Sequence, residues 1–108
     1  MLGITLQINS FKMEPRPGWV ECSLLDVNRK EWHFAMRTAL LYCAELDETS
    51  SSPQPGTLPC KLLGRKVDRS GREVAEISTL EPWGIESHEG ETDFVVFAGQ
   101  LAEISNDD

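Results

Sequence analysis

The chain has 108 residues, of which 40% are hydrophobic and 26% charged, and its formal net charge at pH 7 is −8. This length and composition predict one globular domain over residues 1–108, and the lack of an apolar run of about 20 residues predicts no membrane-spanning helix. Because nucleic acids and anionic lipids repel a strongly acidic chain, neither is an expected partner.

In the first third of the chain, apolar residues recur at every second position, which is typical of half-buried strands. Apolar and more polar residues alternate over 2–8 and again over 20–24, with a turn predicted between them at Pro15–Gly18. A polar connection at Asp26–Lys30 leads to a third alternating segment over 32–36. The order of strand, short polar turn and strand predicts a β-hairpin.

Residues 38–48 are ambiguous, and we expect a strand end followed by one helical turn. Thr49–Gly56 is rich in Ser and Pro and predicts a surface loop. Thr57–Val67 and Glu73–Thr79 predict a second hairpin, joined by a turn at Asp68–Gly71. One face of its first strand is expected to hold Leu58, Cys60, Leu62 and Gly64.

Proline and glycine residues divide the rest of the chain into short segments. Glu81–Ser87 is expected to be irregular because Pro82 cannot donate a hydrogen bond and Gly84 loosens the chain. Ser87–Glu91 predicts a turn, residues 94–97 a buried strand, and residues 101–104 a last segment that closes the fold, with 105–108 frayed. About six antiparallel strands with little helix predict an all-β fold, either a small single-domain barrel or a compact sandwich. We favour the barrel because a chain of this length can cover few edge strands with other segments, and a closed barrel has none to cover.

Three cysteines, Cys22, Cys43 and Cys60, are an odd number without C-x-x-C spacing, which favours reduced, buried thiols over disulfides or a zinc site. The two histidines, His33 and His88, have no partner at metal-ligand spacing. Catalytic triads, phosphate-binding glycine loops and dinucleotide motifs are missing from the sequence. We therefore expect no enzyme, no metal and no cofactor, and the alternating N-terminus, which does not fit a signal peptide, predicts a cytoplasmic protein.

Charge is distributed unevenly along the chain. Residues 73–108 contain ten acidic residues and no Lys or Arg, whereas residues 1–72 contain eight acidic and ten basic residues. The acidic residues are densest between two predicted strands, where loops can face a partner. The candidate partner-binding residues are Glu81, Trp83, Glu86, Glu89, Glu91 and Asp93. A solvated face is the alternative interpretation, and the D-x-[DN]-x-[DN]-G order of a calcium loop is absent.

A tryptophan beside a glycine at a turn either caps the open end of a barrel or presents a binding surface, and Trp19 and Trp83 both have this setting. Basic residues cluster along the second hairpin: Lys61, Arg65, Lys66, Arg69 and Arg72. With a net charge of −8, we interpret this cluster as pairing with the chain's own acidic third rather than as binding nucleic acid.

Four landmarks occur in order: Pro-Gly-Trp-Val-Glu-Cys at 17–22, Glu-Trp-His-Phe at 31–34, Pro-Gly-Thr-Leu-Pro-Cys at 55–60 and Pro-Trp-Gly-Ile-Glu-Ser at 82–87. With them, most of residues 5–103 resemble a group of small bacterial proteins without an assigned activity. In size and acidity that group is similar to immunity proteins, which neutralise the toxins of neighbouring bacteria. The landmarks themselves imply no activity, and the likeness to immunity proteins, which is one of class only, implies a binding function.

The sequence therefore predicts a non-catalytic acidic binding protein, in its sharpest form an immunity protein that neutralises a basic, nuclease-like toxin domain. One alternative is a self-associating structural or regulatory module, a homo-oligomer in which the acidic third of one copy meets the basic hairpin of another. The other is an enzyme or a small-ligand barrel with a site at one open end, which a pocket lined by Trp19, Trp83 and a buried carboxylate would support.

Overall fold

The computed structural model describes residues 1–12, 18–37, 40–41 and 54–104. This part of the chain contains eight strands, the short 3-10 helix Ala98–Gln100 and no α-helix. The strands are β1 (Leu2–Lys12), β2 (Trp19–Leu25), β3 (Glu31–Arg37), β4 (Gln54–Pro59), β5 (Lys61–Val67), β6 (Glu73–Ser78), β7 (Asp93–Phe97) and β8 (Leu101–Glu103).

Two antiparallel sheets contain these strands. The large sheet has the order β3-β2-β1-β4, with β8 paired to the first residues of β1, and the small sheet has the order β5-β6-β7. The predicted all-β class is confirmed, and of the two predicted architectures the structure has the sandwich, because the sheets are not joined into a closed barrel. No helix in the described residues is both long and apolar enough to cross a membrane.

The core lies between the two sheets because alternate residues of each strand point inward. Phe94 of the small sheet contacts two aromatic rings of the large sheet edge-on, with ring centroids 5.2 Å from Trp32 and 5.6 Å from Phe34. The large sheet contributes Ile4, Leu6, Ile8, Val20, Cys22, Leu24, Phe34, Met36 and Leu58, and the small sheet Ala75, Ile77, Phe94 and Val96.

The first predicted hairpin is confirmed as β2–β3, and the carboxylate of Asp26 organises its turn. Oδ1 accepts hydrogen bonds from the backbone N–H groups of Asn28 (2.8 Å) and Lys30 (3.0 Å), and Oδ2 accepts one from Trp32 Nε1 (2.9 Å). The N–H of Val27 donates to the carbonyl of Val95 in β7, so the same turn covers an edge of the small sheet.

Asp26→Ala should destabilise the protein in a pH-dependent way. Desolvation alone would raise the pKa of Asp26, but the hydrogen bonds from Trp32, Lys30 and Asn28 and the charge of Lys30 together lower the pKa below its usual 3.8. A carboxyl group whose pKa is lower in the folded state stabilises that state at pH values above the pKa that it has in the unfolded chain. This stabilisation is lost as the pH falls through the lower pKa of the folded state. We expect a loss of about 1 kcal/mol at pH 7, after allowance for solvent screening.

Urea unfolding of both proteins between about pH 7 and about pH 2 measures this loss. The difference in unfolding free energy between them should shrink below about pH 4. A difference that stays constant over the whole range would contradict the assignment to an ionised carboxylate.

Two predictions around residues 54–64 are wrong. Residues 54–56, predicted as the end of a surface loop, belong to β4, which pairs with β1 from Gln54↔Ile8 to Pro59↔Gly3, and residues 49–53 of that prediction lie outside the described residues. Prolines are tolerated there because β4 is an edge strand. Glycine at position 56 leaves room for the neighbouring strand, because a Cβ there would lie 2.9 Å from Ile8 Cδ1.

The predicted single strand over Thr57–Val67 is two strands in different sheets. The chain leaves the large sheet at Cys60, whose N–H donates to the carbonyl of Leu2, and enters the small sheet as β5. Leu62 and Gly64 therefore do not extend the buried face of Leu58, and all seven residues of β5 are exposed. The β5–β6 hairpin itself is confirmed, with Gly71 at φ +83° in its turn.

Three further predicted features lie wholly or mostly outside the described residues: the turn at Pro15–Gly18, the segment 38–48 apart from its two leucines, and the end at 105–108. Of the two leucines, Leu41 is buried in the core and Leu40 packs partly against it. Gly18, at φ +82°, directly precedes β2.

Candidate functional site

Most of the predicted partner-binding residues lie in one loop, residues 79–92, which joins β6 to β7 and is called the acidic loop below. Thr79, which is 1% exposed, closes its base. The backbone N–H of Thr79 donates to the carbonyl of Thr92 (2.8 Å), its carbonyl accepts from the N–H of Ile85 (3.0 Å), and its Oγ1 donates to the carbonyl of Ile85 (2.7 Å). The hydrogen bonds of Thr79 thus fold the loop back on itself.

The first turn of the acidic loop, residues 80–84, presents an apolar surface. Gly84 donates its N–H to the carbonyl of Leu80 (2.8 Å) and has a φ of +65°, which glycine adopts without strain. Trp83 is 45% exposed and Leu80 is 56% exposed. Glu81 Oε2 lies 3.9 Å from Nζ of Lys61, so this turn stands next to the beginning of β5.

The second turn, residues 87–91, is built around a buried serine. Ser87 Oγ accepts hydrogen bonds from the backbone N–H groups of Glu91 (3.0 Å) and Glu89 (3.3 Å), and its N–H donates to the carbonyl of Glu91 (2.9 Å). The N–H of His88 donates to the carbonyl of His33 (2.8 Å), which fixes this turn against the edge of β3.

All the acidic side chains predicted for the site are exposed. Glu89 forms an ion pair with Lys30 (3.1 Å), and Glu91 Oε1 accepts hydrogen bonds from the N–H groups of Thr92 and Asp93 (both 3.2 Å). Within the described residues Glu86 has no hydrogen-bond or ion-pair partner. The backbone is fixed while most of the negative charge faces solvent.

The six predicted residues thus fall into two groups at one end of the small sheet. Glu81 and Trp83 lie in the first turn, beside β5. Glu86, Glu89 and Glu91 lie in or next to the second turn, beside β3, and Asp93 begins β7. Trp19, the other turn tryptophan, begins β2, where it is half-buried and pairs with Arg37 of β3.

Sequence reasoning missed a contact between the two histidines. The rings of His33 and His88 are stacked with centroids 6.5 Å apart, and His33 Nε2 lies 3.0 Å from Glu31 Oε1. No local pattern predicts the contact, because the loop that carries His88 reaches β3 only in the folded protein. In the part of the chain that the structure describes, no three His, Cys, Asp or Glu side chains are arranged to hold a metal ion.

A groove of about 420 Å³ runs over the outer face of the large sheet. Hydrogen bonds connect polar side chains beside it: Gln7 Nε2 donates to Asn9 Oδ1 (2.8 Å), and Asn9 Nδ2 donates to Ser23 Oγ (3.0 Å). Its lining includes Thr5, Gln7, Ser23, Leu25, Glu31 and Gln100. This lining does not combine Trp19, Trp83 and a buried carboxylate, the set on which the small-ligand hypothesis depends.

Two of the cysteines are buried and unbridged, as predicted. Burial raises the pKa of Cys22 to about 12, with a smaller contribution from the charge of Glu21, and raises the pKa of Cys60 to about 11. Both thiols therefore stay protonated at neutral pH, where they are poor nucleophiles. Cys43 lies outside the described residues.

The basic cluster does not pair with the acidic third in the way that the sequence suggests. Among the described residues one ion pair joins the two, Lys61 with Glu81. Arg72 lies over the ring of Phe97, at 3.8 Å from its centroid. The β5–β6 turn lies at the opposite end of the small sheet from the acidic loop, because Val67 pairs with Glu73 and Lys61 with Ser78.

Comparisons with protein-family models, with curated proteins and with solved structures found no match to this chain.

Proposed function

We propose that the protein binds a basic surface of another protein through the acidic loop, with Trp83 as the apolar anchor. The observation that carries this proposal is the combination of a fixed backbone with exposed charge. Thr79 and Ser87, both buried, hold the two turns, whereas Trp83 and the loop carboxylates face solvent.

Such a loop suits binding for two physical reasons. A backbone that is already ordered loses little conformational entropy when a partner docks. Clustered carboxylates steer a basic partner into position, and a tryptophan beside them supplies a large apolar contact. The ion pairs of Glu81 and Glu89 are exposed and cost little to exchange for those of a partner.

More specifically, the proposed function is that of an immunity protein that neutralises a nuclease-like toxin domain. Nuclease clefts are positively charged because they bind phosphates, and an acidic protein docked over such a cleft blocks it. The net charge of −8 and the likeness of class to immunity proteins both support this form.

The test is to co-purify the protein with the product of the adjacent gene and to measure their affinity by calorimetry. Glu86→Gln combined with Glu89→Gln should weaken binding about tenfold or more at low salt. The control removes the same charge elsewhere on the small sheet, by Glu73→Gln with Glu76→Gln, and should leave the affinity nearly unchanged. Binding that Trp83→Ala and the loop variant leave unaltered would refute the proposal.

A further inference from the structure

The β5 edge of the small sheet has the features of an interface. β5 pairs with β6 on one side, and among the described strands none pairs with its other side. Leu62 and Arg65 lie opposite the buried residues Ile77 and Ala75, yet both are exposed. Five of the seven large apolar side chains that are exposed in the described residues lie on β5 or in the adjoining first turn: Leu62, Leu63, Val67, Leu80 and Trp83.

The two ends of the same edge differ in charge. Lys66, Arg69 and Arg72 are exposed at or near the β5–β6 turn, which we call the basic tip. Glu81 stands beside Lys61 at the other end, where the acidic loop begins. The two ends are about 20 Å apart, the length of a strand of this size.

We propose that two copies of the chain associate through β5, with the two strands antiparallel about a two-fold axis. In that arrangement the Val67 end of each β5 lies beside the Lys61 end of the other. The basic tip of each copy then meets the first turn of the partner's acidic loop, and this contact occurs twice. The pairing also covers the exposed leucines and satisfies the open backbone edge of β5.

A second copy fits this edge better than other occupants. Lysines and a bulge often protect an edge strand against pairing, and β5 has both, with the bulge between Leu62 and Gly64. That protection is weaker against a partner that brings an acidic group to the basic end, as Glu81 in the first turn of another copy does. An acidic peptide complements the basic tip alone, and nucleic acid is repelled by Glu81 and by the net charge. Only a self-complementary surface uses both ends of the strand.

This inference does not rest on the proposed function, although the two proposed surfaces share the first turn of the acidic loop, with Glu81 and Trp83. They differ in the second turn. The second turn of the acidic loop lies against β3, at an edge of the other sheet, and carries Glu89. Loss of the dimer with binding of the foreign partner intact, or the reverse, would therefore separate the two proposals.

Sedimentation velocity at about 10 µM and about 300 µM tests the proposal, because a dimer of this kind depends on concentration. We expect a dimer at the higher concentration in about 0.05 M salt and its dissociation constant to rise roughly tenfold in about 0.5 M salt. Hydrogen exchange at residues 61–67 should slow as the dimer forms. A monomer under all conditions, or a dimer without slower exchange in β5, would overturn the proposal.

Charge reversal gives a second test, in which a restored dimer also shows that both variants are folded. Lys66→Glu and Glu81→Lys should each weaken the dimer about tenfold, because each places like charges together at both contacts. An equimolar mixture of the two should dimerise again, since the reversed charges are complementary. Arg29→Glu is the control, because it makes the same change of charge as Lys66→Glu. Arg29 lies in the β2–β3 turn, which covers the β7 edge of the small sheet, opposite the β5 edge. A mixture that remains monomeric would refute the antiparallel arrangement.

Discussion

Phe34→Ala is expected to lower the free energy of unfolding by about 3–5 kcal/mol, which is the usual cost of removing a fully buried phenylalanine. Phe34 is 0% exposed and its ring contacts Phe94 of the small sheet, so the substitution leaves a cavity where the two sheets meet. A domain of this size has a total stability of about 5–15 kcal/mol, so the loss is a large share of it.

Urea unfolding followed by tryptophan fluorescence measures the effect. His33→Ala is the matched control, because His33 precedes Phe34 on β3 and its side chain points away from the core and is about half exposed. Surface substitutions of this kind change stability by about 0.5 kcal/mol or less. Equal losses in the two variants would mean that the sheets do not pack through Phe34.

Thr79→Val should lower the free energy of unfolding by about 1–3 kcal/mol, although the two side chains have nearly the same shape. The substitution removes the hydroxyl that donates to the carbonyl of Ile85 and leaves that acceptor without this bond at the base of the acidic loop. Because Thr79 holds the fold of the loop, we also expect faster hydrogen exchange at Ile85.

Thr92→Val is the control for this variant, since it makes the same change in the same loop. Among the described residues the Thr92 hydroxyl donates to the exposed neighbouring carboxylate of Asp93 alone, so a loss below about 0.5 kcal/mol is expected. If hydrogen exchange in the loop were equally fast in both variants, Thr79 would not be the residue that fixes it. A weaker affinity of Thr79→Val for a basic partner would connect the order of the loop to the proposed function.

The two hairpins could be predicted because residues close together in the sequence determine them. Alternating residues around Asp26–Lys30 and the turn at Asp68–Gly71 determine strand, turn and strand from neighbours in sequence. The change of sheets at Cys60 was not predictable, because the pattern Leu58, Cys60, Leu62 fits one continuous strand equally well. Long-range contacts decide it: β4 pairs with β1 over its whole length, whereas β5 pairs with β6.

The acidic residues of the candidate site could be named from the sequence, since charge density and turn signals mark residues 81–93. Their division into two turns could not, because it depends on the bonds of Thr79 with Ile85 and of His88 with His33. The stacked histidines and the pairing of Lys30 with Glu89 likewise join segments that are far apart in the chain.

By itself, the sequence determined the all-β class, the two hairpins and the acidity of the C-terminal third, because periodicity, turn chemistry and charge are properties of neighbouring residues. Only the tertiary structure decided that the sheets form a sandwich, that β5 is an exposed edge, and that the basic tip lies about one strand length, roughly 20 Å, from the acidic loop. The physical reason is that strand pairing between distant segments depends on how the whole core is buried, which no short stretch of sequence specifies.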